Sequence, residues 1–149
     1  MTPLDLATEV VDTAGRDRAV AHLRDRGVVL PLLSELADPA TIPDPIQRHL
    51  SSVDPMSPSP ANLFRVHWFN DANRRGQVPV PEHLVLPEAM TGVKARIVVA
   101  LGDRFPMIAA HKVLAAYGCL VPRIVTGQFD PTSQRAIWPS TGNYCRGGT

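Results

Sequence analysis

Six prolines between residues 39 and 60 constrain this chain more than any other feature. Pro39, Pro43, Pro45, Pro55, Pro58 and Pro60, with Ser51, Ser52, Ser57 and Ser59 among them, remove backbone donors and restrict φ along the stretch. A long helix or an inner strand is therefore excluded across it. The composition predicts a wrapping arm or linker. Together with the segment ahead of it, it defines residues 1–78 as a helical, Pro-rich N-terminal extension that packs on a dimer partner or covers an active site. Residues 79–149 then form the second unit.

Within the extension, Leu4, Leu6, Ala7, Val10 and Val11 predict an amphipathic helix over 4–14 closed by Gly15. Ala19, Val20 and Leu23 predict another over 16–26 closed by Gly27. Val28 to Leu36 reads as a further buried helix with Pro31 in its first turn. Phe64, Val66 and Trp68 alternate with Arg65 and His67, the pattern of a short strand. Asn70 to Asn73 then make a turn and Arg74-Arg75-Gly76 a solvated basic one.

The second unit is more regular. Ile97-Val98-Val99 predicts a buried strand within 95–101, Lys112 to Leu120 has helical spacing, and Arg135 to Trp138 is a short strand ended by Pro139. Strand, helix, strand and Gly-containing loop predict an α/β fold, a parallel sheet with flanking helices whose ligands sit beyond the strand ends.

Charge and composition narrow the function. The 149 residues are 44% hydrophobic and 19% charged, the balance of a soluble globular domain, and a net charge of +1 supplies no basic footprint for nucleic acid or an anionic membrane. Cys119 and Cys145 form no CxxC pair, so no disulfide framework or zinc ribbon is expected and a reducing compartment fits. Met1 to Leu6 lacks a signal-peptide pattern and no segment approaches the roughly 20 apolar residues of a membrane span, so a cytoplasmic location is expected. The histidines show no metal spacing, and no metal is expected; His22, His49, His67 and His83 read as solvated or locally hydrogen-bonded. Cys119 reads as a core thiol, Cys145 beside Arg146 as the more reactive one, and Trp68 and Trp138 as packing residues.

Two short motifs carry chemistry. Lys112 follows Ile108, Ala109, Ala110 and His111 and precedes Val113 and Leu114, a setting poor in water. A lysine so placed is a covalent catalyst, because its neutral amine attacks an aldehyde; the plainer reading is a surface lysine at a helix start. Ser140-Thr141-Gly142-Asn143 offers two hydroxyls, a glycine and an amide at an expected helix start, a composition that binds carboxylates or phosphates and also serves as a capped turn.

Together the motifs resemble the fold type II pyridoxal phosphate enzymes, the superfamily of cysteine synthase, threonine synthase, the serine and threonine dehydratases and the tryptophan synthase β subunit. Ala110-His111-Lys112 looks like the Ala-His-Lys of the tryptophan synthase β subunit, and Ser140-Thr141-Gly142-Asn143 is similar to the Thr-Ser-Gly-Asn loop of cysteine synthases. Leu86-Pro87, Met90 to Ile97 and Pro106 resemble the segment that leads into the lysine loop, extending the likeness over residues 86–148. The resemblance implies that pyridoxal 5'-phosphate forms an internal aldimine on Lys112. It also implies that Asn143 bonds the cofactor ring hydroxyl, that His111 faces its phosphate, and that Ser140, Thr141 and Gly142 receive the carboxylate of an amino-acid substrate. The implied reaction is a cysteine synthase-like β-replacement or β-elimination in a homodimer.

The chain departs from the family where Ala100-Leu101-Gly102 replaces Lys-x-Glu and where Ala110-His111 replaces the usual residues before the lysine. The family's Gly-rich phosphate cup lies beyond the asparagine loop, so residues 79–149 are expected to be a truncated N-terminal part of the catalytic domain. The alternative is a non-catalytic fragment or a small-anion-binding module. A parallel sheet cut after its first strands is expected to leave apolar edges bare.

Overall fold

The structure, a computed structural model, describes residues 9–148. Residues 4–8 of the expected first helix lie outside the described residues, and residues 9–12 are not helical. Helix α1 instead runs Thr13–Asp25, because the Asp12 carboxylate accepts the Gly15 N–H at 3.0 Å and so caps the start of a helix. Gly15 belongs to its first turn and ends nothing. Gly27, at φ 67, closes the far end, with its N–H donated to the Arg24 carbonyl and that of Val28 to Leu23.

The helix expected over 28–36 shrinks to α2, Leu33–Ala37. Pro31 keeps the chain ahead of it extended, and the Glu35 carboxylate accepts the Leu32 N–H at 2.7 Å, fixing the start two residues after the proline. The Pro-rich stretch is folded rather than a linker. Pro39 opens a 3₁₀ turn (Pro39–Thr41), Pro45 lies in the first turn of α3 (Asp44–Leu50), and Pro60 opens a 3₁₀ helix (Pro60–Arg65). Each sits where its missing N–H has no helical acceptor to lose. The 3₁₀ helix also replaces the strand expected over 64–68. Phe64, Arg65, Val66 and His67 are all buried, so the apparent alternation had no solvent face.

The sheet is the clearest correction. Strands β1 (His83–Leu86) and β2 (Ile97–Ala100) pair antiparallel, with His83 opposite Ala100 and Leu86 opposite Ile97. The connection, residues 87–96, contains only the single-turn helix α4 (Glu88–Thr91). It is shorter than the roughly twelve residues of a parallel crossover, so an antiparallel return is the arrangement open to it. The expected parallel sheet is not formed among the described residues. Nor is β2 a buried strand, since Leu84, Val85, Val98 and Val99 are all exposed. Residues 135–138 form no strand; Ile137 is 84% exposed and pairs with no neighbouring edge.

The second half closes with a kinked turn, α5 (Pro106–Ala109, with Met107 at φ 62), then α6 (Lys112–Val125) and α7 (Asn143–Gly148). Val113, Ala116, Tyr117 and Ile124 make the buried stripe of α6, at the i, i+3, i+4 spacing of an amphipathic helix. The main core joins Leu36, Val66, Phe105, Val113 and Tyr117, and the Tyr117 hydroxyl donates to the Pro31 carbonyl at 2.5 Å. These residues come from both sides of position 78, so the expected boundary between 1–78 and 79–149 does not divide the core. A second cluster packs Ile42, Leu50 and Phe64 beneath α3.

Candidate functional site

Lys112 is the first residue of α6 and is exposed; its amine makes no bond to the protein among the described residues. His111 precedes it as N-cap, its ring stacked on Trp68 with centroids 5.6 Å apart. Asn143 is the first residue of α7, and the Ser140-Thr141-Gly142 loop leads into it as expected of a helix-start motif. The loop's polar groups are bonded locally. The Ser140 hydroxyl accepts the Gly142 N–H, and the Asn143 carbonyl oxygen accepts from Arg146, each at 3.2 Å.

The two motifs are not brought together. A Cβ on Gly147 would lie 2.9 Å from Val113 Cα, whereas Tyr144 lies beside Cys119, close enough for the thiol to shift its phenol. Helix α7 therefore runs antiparallel to α6. Its Gly147 end lies beside Lys112 and its Asn143 end sits about 9 Å further along α6, taking 1.5 Å per residue from Val113 to Cys119. Four cavities among the described residues are lined by neither Lys112, nor His111, nor residues 140–143. In this arrangement the residues present do not together fit pyridoxal phosphate, for the amine stands in solvent, the Ser140 hydroxyl is turned to the Gly142 N–H and the Asn143 side-chain oxygen to Arg146.

Cys119, expected as a core thiol, is only partly covered, and Cys145 stands in the first turn of α7 beside Arg146. Cys119 is half-buried and receives the Arg123 guanidinium at 3.5 Å; its interaction with the neighbouring Tyr144, followed by burial, raises the phenol pKa. Cys145, the expected reactive thiol, lies within α7 and is half-buried too. Trp138 packs edge-on against Tyr144 at 5.1 Å, as a packing residue should. Among the described residues no three His, Cys, Asp or Glu side chains are grouped to hold a metal, and no helix is long and apolar enough to cross a membrane.

Sequence reasoning missed a buried polar centre around the 3₁₀ helix. Arg65, only 3% exposed, donates to the Leu50 carbonyl at 2.7 Å, to that of Val53 at 3.2 Å and to Asn62 Oδ1 at 2.7 Å. Burial, then the nearby charge of Arg75, lowers its pKa. Asn70 is likewise buried and donates to the carbonyls of Arg65 and His67. The His67 ring accepts the Phe69 N–H at Nδ1, 3.1 Å away, which places its proton on Nε2. Pro60 at a helix start, a signal visible in the sequence, would have pointed to helical rather than alternating geometry here.

His67 makes this centre sensitive to acid. Burial, followed by the Arg65 charge, lowers its pKa from 6.5 to about 4. Between those values the unfolded chain binds a proton that the folded chain refuses, so stability falls as pH drops through that window and levels off below it. The full loss is roughly 3 kcal/mol. Urea unfolding at pH 7 and pH 4.5 should show most of this loss, about 2 kcal/mol, in the wild type and a much flatter response in His67→Gln; equal slopes would rule out His67 as its source.

No family model, no curated protein and no solved structure matches the chain.

Proposed function

We propose that the chain is the lysine and asparagine-loop portion of a cytoplasmic pyridoxal phosphate-dependent enzyme that acts on an amino acid by β-replacement or β-elimination, working as a homodimer. The observation that carries the reading is positional. Lys112 opens α6, Asn143 opens α7 directly after the Ser140-Thr141-Gly142 loop, and the two helices pack on each other through Gly147. Those are the positions the resemblance assigns to the cofactor lysine, with His111 beside it, and to the ring-binding asparagine with its carboxylate-binding loop. The reading requires one change of arrangement: the Asn143 end of α7 must move along α6 to the Lys112 end. That move would have to break the packing of Gly147 on Val113, of Gly148 on Trp138 and of Tyr144 beside Cys119.

The test is chemical. Purified chain is titrated with pyridoxal phosphate, reduced with borohydride and mapped by peptide mass spectrometry. Lys94 and Lys112 are the only lysines, and both are exposed, so each is the other's control. Saturable labelling of Lys112 over Lys94, lost in Lys112→Ala, is the expected result. Equal labelling of both, or none at all, would remove the reading.

A further inference from the structure

A cavity of about 220 Å³ opens between α3 and the turn at residues 70–77, and its polar lining is cationic. Arg65, Arg74 and Arg75 reach it, together with His67, Asn70 and Gln77, and no carboxylate does. The acids nearest in charge are Asp54 and Asp71, both of which act on Arg65 at long range without forming an ion pair with it among the described residues. The Asp71 carboxylate is taken up by the N–H groups of Arg75 and Gly76, each at 3.0 Å, and that of Asp54 by Met56 at 3.1 Å.

The cations divide into a fixed wall and a free arm. Arg65 is held by two carbonyls and an amide oxygen, neutral acceptors that bond its guanidinium without a contact ion pair, its charge met only at a distance by Asp54 and Asp71. Arg74, at φ 60, is tied to the carbonyls of Asp103 at 2.7 Å and Phe105 at 3.1 Å. Arg75 is exposed and its guanidinium has no protein acceptor among the described residues. His67 adds a ring N–H at Nε2 that makes no bond to the protein among the described residues. A pocket lined by three arginines and a neutral histidine, with no carboxylate among its lining residues, suits a doubly charged oxyanion far better than a neutral ligand.

We propose that this cavity is a binding site for a phosphate-sized dianion, either free phosphate or the phosphoryl group of a small molecule, clasped between the Arg65 wall and the Arg75 arm. The site is separate from Lys112 and stands whether or not the cofactor reading does.

Inorganic phosphate is the probe, titrated at constant ionic strength with chloride as the balancing anion, while the Arg Nε–H resonances are followed by NMR. Saturable shifts at Arg65 and Arg75 are expected. Arg75→Gln, a surface change that leaves the folding contacts intact, should weaken binding about tenfold. Glycerol phosphate binding as tightly would assign a phosphomonoester, and its exclusion would assign free phosphate; acetate should bind more weakly than either. Shifts no larger than those given by chloride, binding unchanged in Arg75→Gln, or shifts confined to residues 140–143 would overturn the proposal.

Discussion

Phe105→Ala should lower the free energy of unfolding by roughly 3–5 kcal/mol, the range for removing a fully buried aromatic ring. Phe105 is wholly inaccessible to solvent, its ring meets Trp68 edge-on at 5.0 Å, and it belongs to the cluster formed with Leu36, Val66, Val113 and Tyr117. The cluster draws on α2, the segment after the 3₁₀ helix, and α6, so the cavity opens where the two halves of the chain meet. The Met107 N–H, two residues on, reaches the Pro55 carbonyl at 2.9 Å and ties the Pro-rich segment to the same point. Denaturant unfolding followed by tryptophan fluorescence and by far-ultraviolet circular dichroism should therefore give one transition, shifted as a whole in the variant. Two separable transitions, only one of them moved by Phe105→Ala, would mean that residues 1–78 fold apart from the rest.

Gly127→Ala should destabilise the chain by about 3 kcal/mol or more, and a second glycine separates the two causes. Gly127 and Gly92 adopt nearly the same left-handed conformation, φ 79 and φ 66. A methyl at Gly92 meets nothing within 4 Å, so its replacement by alanine has only the backbone cost of about 1 kcal/mol. A methyl at Gly127 would stand 2.1 Å from the Asp12 carbonyl oxygen. It would have to push away the strand-like lead into α1, where Val11 N–H meets the Thr126 carbonyl at 2.9 Å, and would disturb the Asp12 cap. Thermal unfolding of the two variants side by side is the measurement. Similar losses would show that conformation alone matters and that the approach of α1 to Gly127 is not tight.

Local chemistry was legible in the sequence and pairing was not. The Gly27 stop, the helix from Lys112 and the helix start after Ser140-Thr141-Gly142 all depend on residues within one turn of each other, and the structure has each of them. Gly15 misled because a glycine near a helix end looks the same at either end until the capping side chain, here Asp12, is identified. Arg65 and His67 misled more deeply. Alternation of apolar and polar residues implies a wet face only if the polar ones are not themselves bonded inside, and Arg65 finds its acceptors 3, 12 and 15 residues away. The direction of β2 was settled by the length of the connection from β1, which the apolar run Ile97-Val98-Val99 could not reveal. The candidate lysine and asparagine were legible as motifs; how α6 and α7 pack is a tertiary matter that neither motif specifies.

The β1–β2 hairpin presents Leu84, Val85, Val98 and Val99 to water, adjacent residues on each strand whose side chains must point to opposite faces. Such a ribbon has no dry side. Two strands alone are marginal in water, and these have an open edge on either flank as well. The chain's own concentration thus becomes a thermodynamic variable: laying one face of the ribbon against another copy would hide two aliphatic side chains per copy, and dilution would return them to solvent.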